Sequence, residues 1–219
     1  MEKKKVGVLL SGCGVFDGAE IHEAVLTLLY LDQKGAHAVC MAPDIPQAHV
    51  INHLTQEEMK ETRNVLVESA RIARGEIKNI KEVNINDIDA LILPGGFGAA
   101  KNLSKFAFKG SEGAVNSDVK ALINDMVNAG KPVGALCIAP ATVGMAVKDK
   151  APEMTIGKDE QVAGALNAIG VRHKICAVDE IAVDEKNRIV TTPAYMLGPS
   201  IKDVAKGIEK VVEKVLSMI

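Results

Sequence analysis

Cys137 is where the sequence most plainly offers chemistry. In Gly134-Ala135-Leu136-Cys137-Ile138-Ala139 it stands between an apolar run that reads as a buried strand and the start of a helix. A sharp strand-to-helix turn lifts a side chain above the sheet, as in the nucleophile elbow of hydrolases. Ala135 and Ala139 leave room for such a turn. A helix N-terminus favours thiolate over thiol, so Cys137 is expected below the usual pKa of about 8.5. The competing reading is burial, because free cysteine commonly serves as a small hydrophobe. Cys40 falls within a strand pattern, Cys176 beside one, and Cys13 in a glycine-rich loop. With no Cys-x-x-Cys pair, all four are expected as free thiols in a reducing compartment.

The elements that must position this cysteine alternate along the chain. Strand patterns cover residues 6–10, 36–42, 89–93 and 133–136, and a hairpin covers 181–192 with its turn at 184–187. Helix patterns cover 20–34, 115–129, 161–169 and 200–217, with one more starting at Ile138. In the first helix, Ile21, Val25, Leu28 and Leu29 form the expected core face. Thr55-Gln56-Glu57-Glu58 reads as a capping box opening a helix to about residue 73. Short apolar strands alternating with helices predict one α/β domain over residues 1–219, a mostly parallel sheet covered on both faces. Function in such sheets collects at the carboxyl ends of strands. Segments 11–23, 94–100 and 136–140 are the unusual strand ends, and a doubly wound sheet would bring them to one crevice.

Composition removes several classes of function. Hydrophobic residues are 47% and charged residues 25% of the 219, with net charge -2, as for an ordinary globular domain. A pI of about 6.2 and 3% aromatics argue against a nucleic-acid partner. No apolar run reaches the roughly 18 residues of a membrane span. Basic Met1-Glu2-Lys3-Lys4-Lys5 precedes an apolar run too short for a signal peptide, so a cytoplasmic protein is expected. The run 11–18 follows a strand and precedes a helix, but its Gly-x-Gly-x-x-x-Gly spacing is one residue too long for a dinucleotide site. Asp17, Glu20 and Glu23 would also repel a pyrophosphate there. No metal is expected, because His22, His37, His49, His53 and His173 show no zinc-ligand grouping. Lys101, Lys105 and Lys109 read as a solvated face.

Leu93-Pro94-Gly95-Gly96, the run Gly98-Ala99-Ala100-Lys101-Asn102-Leu103-Ser104 and the elbow cysteine resemble the PfpI/ThiJ superfamily. That group shares its fold with class I glutamine amidotransferases. Gly18-Ala19-Glu20-Ile21-His22-Glu23-Ala24-Val25 resembles its first-helix motif. Ser11-Gly12-Cys13-Gly14-Val15-Phe16-Asp17-Gly18, with Val50-Ile51-Asn52-His53-Leu54-Thr55, Thr62-Arg63-Asn64-Val65-Leu66 and Thr191-Thr192-Pro193-Ala194-Tyr195-Met196-Leu197, is similar to the isoprenoid-biosynthesis glyoxalase (ElbB) family.

The resemblance implies a flavodoxin-like, doubly wound fold, no cofactor and a homodimer. It puts a glutamate that hydrogen-bonds the reactive cysteine at Glu23, with Glu20 one turn earlier on the same face. It puts an oxyanion site at the N–H groups of Gly96 and Ile138. The Gly95-Gly96 pair suits that role physically, because adjacent glycines let backbone N–H groups approach a ligand closely. A carboxyl buried beside an apolar pocket has its pKa raised, so a protonated Glu23 would donate to the Cys137 sulfur. The plain alternative is a first-turn acid serving the helix dipole. Many PfpI relatives carry a histidine right after the cysteine, whereas this chain has Ile138. The remaining downstream histidine, His173, is distant, so a glutaminase triad is doubtful and His22 is the better auxiliary base.

The implied activity is that of a cofactor-free glyoxalase, a lyase converting glyoxal or a related 2-oxoaldehyde to the hydroxy acid through a Cys137 hemithioacetal. A protein deglycase would use the same residues. A redox or stress-responsive protein would use a low-pKa, exposed Cys137 without turnover. Nothing in the residues specifies an isoprenoid intermediate.

Overall fold

A computed structural model describes residues 3–219; Met1 and Glu2 of the basic opening lie outside the described residues. Along the chain run β1 (Lys5–Leu9), α1 (Ile21–Gln33), β2 (His37–Ala42), α2 (Val65–Ile72) and β3 (Lys78–Asn79). Next come β4 (Ala90–Leu93), α3 (Phe97–Lys101), α4 (Phe106–Lys109), α5 (Ser117–Asn128), β5 (Val133–Leu136) and α6 (Ala139–Ala146). The remainder is β6 (Glu153–Met154), α7 (Glu160–Ala168), β7 (Arg172–His173), β8 (Ala182–Asp184), β9 (Ile189–Thr192) and α8 (Ile201–Met218).

Seven strands form one sheet in the order β3-β2-β1-β4-β5-β9-β8. Every neighbour pair is parallel except β8 on β9. That is the flavodoxin-like α/β arrangement. The order reverses between β1 and β4, and the crevice beyond their carboxyl ends is the topological switch point where such sheets bind ligands. β6 and β7 pair in a separate two-stranded parallel ribbon, which the sequence patterns do not show.

Buried alternation splits the core. Leu9, Leu91, Leu93 and Val133 pack with α3, α5 and α6 on one face. Val6, Val8, Ile92 and Val190 pack with α1 and α8 on the other. In α8 the buried stripe Val204, Ile208, Val211, Val212 and Val215 follows the helical period. Each such side chain contributes about 1.5–3 kcal/mol of transfer free energy. The predicted hairpin forms, and its turn is held where Asp184 accepts the Asn187 backbone N–H at 2.9 Å and its side-chain amide at 2.8 Å.

Two local expectations fail. The helix expected from Thr55 starts instead at Val65, after Asn64 accepts the Val67 N–H at 3.0 Å. Asn52 Oδ1 accepts the Leu54 N–H at 2.9 Å and Thr55 Oγ1 the Glu57 N–H at 3.3 Å. These local bonds compete with a helix, and Gln56 sits at φ 62°. The second failure is the α1 core face. Ile21, Val25 and Leu29 are 43%, 48% and 43% exposed, whereas Glu23, Ala24, Leu26, Thr27 and Leu31 are buried. The helix is rotated so that a carboxyl, not the aliphatic stripe, faces the protein interior.

Candidate active site

Cys137 lies between β5 and α6, and its φ is 59°. A non-glycine residue in the left-handed region costs about 1–3 kcal/mol. The turn is held because the Cys137 N–H donates to Thr192 O at 3.0 Å, the last residue of β9. β5 and β9 run in register up to Leu136 and Thr192, so the elbow rises where the sheet ends. α6 is buried throughout and carries Pro140 in its first turn, which fixes the helix start directly behind the cysteine.

Glu23, in the first turn of α1, is fully buried. Its Oε2 accepts the Gly95 N–H at 2.8 Å and its Oε1 the Tyr195 N–H at 3.2 Å. The side chain also hydrogen-bonds Cys137. Burial, followed by the charge of Glu20, raises its pKa from 4.5 to about 7. Glu20 caps α1, accepting the Glu23 N–H at 2.7 Å, and the Glu20 N–H donates to Gly95 O at 2.9 Å. The helix start and the Pro-Gly-Gly loop are therefore stitched together around one carboxyl.

The N–H groups of Gly96 and Ile138 both donate to the Cys137 sulfur. They are the two groups expected at an oxyanion site, and here they aim at sulfur, favouring negative charge on it. Burial and the Glu23 charge act more strongly in the other direction, holding the Cys137 thiol well above its ordinary value. The expected depressed pKa is therefore corrected. The α6 N-terminus is present, but 8% exposure removes the solvation a thiolate needs. An exposed, low-pKa thiol is not what the fold presents. Cysteine and glutamate instead form a buried pair in which the thiol keeps its proton and the Glu23 carboxyl gives up its own near neutrality.

Gly95 faces no ligand, because its N–H is taken by Glu23. Its role is close approach: a Cβ there would lie 2.4 Å from Cys137 Cβ and 2.7 Å from Glu23 Oε2. Among the described residues, no hydrogen bond joins His22 to the cysteine. His22 is exposed, and its Nδ1 pairs with Tyr195 Oη at 2.8 Å. His173 lies in β7, where its Nε2 accepts the Ile156 N–H at 3.3 Å, so it completes no triad. Among the described residues, no three His, Cys, Asp or Glu side chains group as metal ligands.

A pocket of about 260 Å³ opens onto Cys137, lined by Val15, Glu20, Gly96, Phe97, Ile138, Val162, Tyr195 and Met196. Val15 comes from the loop after β1, Phe97 from α3, Val162 from α7, and Tyr195 and Met196 from the turn after β9. Sequence reasoning passed over Tyr195, Thr192, Phe97 and Val162 as site residues. Applying the strand-end rule to β9 reaches the first two, whereas the α7 contact has no local signal. The loop carrying Val15 is pinned by Asn102, which donates to Ser11 O at 2.9 Å and Asp17 O at 2.8 Å and accepts from the Ala48 N–H at 2.8 Å. A larger cavity of about 660 Å³, beside Lys3, Lys34 and Glu213, lies at the opposite end of the sheet.

Fold and site define a flavodoxin-like α/β protein with a cysteine on a strained elbow and a buried carboxyl partner. The chain belongs to the DJ-1/PfpI family, whose model matches residues 13–194. It is 44% identical to the mitochondrial ES1 protein homolog of Rattus norvegicus, over 99% of this chain and 84% of that protein. It is 43% identical to the human mitochondrial glutamine amidotransferase-like class 1 domain-containing protein 3, over 98% of this chain and 83% of that protein. An isoprenoid biosynthesis protein with an amidotransferase-like domain from Ehrlichia chaffeensis superposes with a TM-score of 0.93 at 38% identity, covering 98% and 99% of the two chains. Glyoxalase III of Candida albicans shares the fold, with a TM-score of 0.63 at 15% identity over 99% and 97% of the chains. Among the described residues, no helix is long and apolar enough to cross a membrane.

Proposed function

We propose that the protein is a cofactor-free glyoxalase of the isoprenoid-biosynthesis (ElbB) type, converting a 2-oxoaldehyde to the corresponding 2-hydroxy acid. One observation carries the reading: the buried Glu23 carboxyl, with a pKa of about 7, hydrogen-bonds the Cys137 sulfur at the floor of a pocket. A base matched to the working pH moves protons most effectively.

Cys137 Sγ attacks the aldehyde carbon, forming a C–S bond, and its proton passes to the Glu23 carboxylate. Glu23 hands that proton to the aldehyde oxygen, giving the hemithioacetal and restoring its carboxylate. The carbon-bound hydrogen then leaves as a proton to Glu23, and its electron pair moves through the new C=C bond onto the adjacent carbonyl oxygen, giving an enediolate. Glu23 returns the proton to the neighbouring carbon while the hemithioacetal hydroxyl proton shifts to that carbon's oxygen, leaving an alcohol beside a thioester, so one carbon is oxidised and its neighbour reduced with no external redox partner. Water hydrolyses the thioester, releasing the hydroxy acid and the thiol. The Gly96 and Ile138 N–H groups stabilise sulfur whenever it carries charge. Glu20 keeps Glu23 protonated more of the time through like-charge repulsion.

A redox sensor is a poorer match, because Cys137 is 8% exposed and its thiol is raised, not lowered. The rat and human relatives are named as mitochondrial. The cytoplasmic expectation accordingly gives way to a weaker one, a compartment reducing enough to keep Cys137 a thiol. The test is hydroxy acid formation from glyoxal by purified protein beside Cys137→Ser, in amine-free buffer. Many turnovers that fall at least about 100-fold in the variant support the reading. Stoichiometric aldehyde loss without product, or full turnover by Cys137→Ser, refutes it.

A further inference from the structure

The pocket over Cys137 is far larger than the two-carbon dialdehyde. Its 260 Å³ falls just short of the roughly 300–1,000 Å³ of pockets that take drug-sized ligands, which leaves room for several carbons beyond glyoxal. Its walls away from the sulfur are Val15, Phe97, Val162 and Met196, four apolar side chains from four separate segments. None of its described lining residues is Lys, Arg or His. Its one ionisable carboxyl besides the reactive pair is Glu20, held at the α1 start by the Glu23 N–H at 2.7 Å. Lys101, beside the Phe97 wall, is turned to other partners: its Nζ lies 5.2 Å from the Phe97 ring centroid and donates to Phe16 O at 3.0 Å.

Such a site takes an uncharged tail. An aliphatic branch gains by leaving water against Val15, Val162 and Met196. An anionic tail would meet Glu20 and no cation, and a buried unpaired charge is disfavoured. We propose that the preferred substrate is a 2-oxoaldehyde bearing a neutral, branched apolar substituent of about four carbons, seated against Val15, Phe97, Val162 and Met196, and that glyoxal is a minimal fragment of it. This inference rests on the glyoxalase reading and names the substrate class of the same site.

Three probes separate the possibilities: glyoxal, 4-methyl-2-oxopentanal, and 4,5-dioxopentanoate, which matches the second in size but ends in a carboxylate. Discrimination by apolar groups in a pocket runs from about tenfold upward. The branched probe is expected to exceed both others at least tenfold in kcat/KM. Val162→Phe, at a half-buried helix position, is expected to shrink that ratio several-fold by filling the wall. Equal or better turnover of glyoxal or of the anionic probe, still dependent on Cys137, overturns the inference and leaves the glyoxalase reading standing. Protection of Cys137 from iodoacetamide by the same probes reads the pocket without turnover. If no hydroxy acid forms from any probe, the glyoxalase reading falls. Strongest protection by the branched probe would then still support the apolar site, and equal protection by all three would overturn it.

Discussion

Replacing Glu23 with glutamine tests the centre of the site through stability as well as through rate. Glu23 titrates at about 7 in the fold against 4.5 for an unburied glutamate. A carboxyl with a raised folded pKa favours the folded state when protonated. That contribution is fully present below about pH 4.5 and is lost as pH rises through about 7. At 1.36 kcal/mol per pKa unit, the loss is about 3 kcal/mol for a group this fully buried. Glu23→Gln has no such titration. It carries a constant cost of about 1–3 kcal/mol instead, because its NH₂ must face either the Gly95 or the Tyr195 N–H. Urea midpoints of both proteins between pH 4.5 and 7.5 give the difference directly. The variant is expected to be the weaker protein at pH 4.5 and to gain about 3 kcal/mol on the native one by pH 7.5. In thermal scans, that change is of order 6–12 °C for a chain of this size. A difference that stays flat across the window would refute the reasoning, since Glu23 would then not be the group that titrates near neutrality.

Gly95→Ala pushes a methyl to 2.4 Å from Cys137 Cβ. It should lower stability by about 1–3 kcal/mol in urea unfolding and reduce turnover by at least about tenfold. Asn102→Ala orphans the Ser11 and Asp17 carbonyls and the Ala48 N–H. It is expected to cost about 3 kcal/mol in the same assay and to raise KM more than it lowers kcat, since Val15 rides on that loop. His22→Ala should keep kcat/KM within about twofold, because among the described residues His22 hydrogen-bonds the Tyr195 hydroxyl and not the reactive pair. A tenfold fall would return His22 to the reaction as a base.

Much of the site was legible because its signals are local. The elbow sequence at Cys137, the Pro94-Gly95-Gly96 strand end and the acid run at Glu20 and Glu23 each announce a turn or a helix start within a few residues. Strand and helix periods sufficed for the parallel sheet, since a strand buried on both faces needs continuous apolar residues wherever it lies. The errors fall where several local structures compete. Thr55 and Glu58 satisfy a capping box on paper, yet Asn52 and Thr55 side chains take the nearby N–H groups first.

Burial and proton affinity belong to the tertiary structure. The period in α1 marks Ile21, Val25 and Leu29 as one face, but period alone cannot say which face the core covers, and they end exposed. Cys137 shows the same division most clearly. Its place at a helix start follows from its neighbours in sequence and argues for a thiolate. Its raised pKa follows from desolvation and from Glu23, which is fixed by the Gly95 N–H 72 residues away and the Tyr195 N–H 172 residues away. Sequence spacing conveys which groups a turn or helix brings together. The electrostatic free energy of a buried proton depends on every group packed around it, and only the folded chain assembles that set.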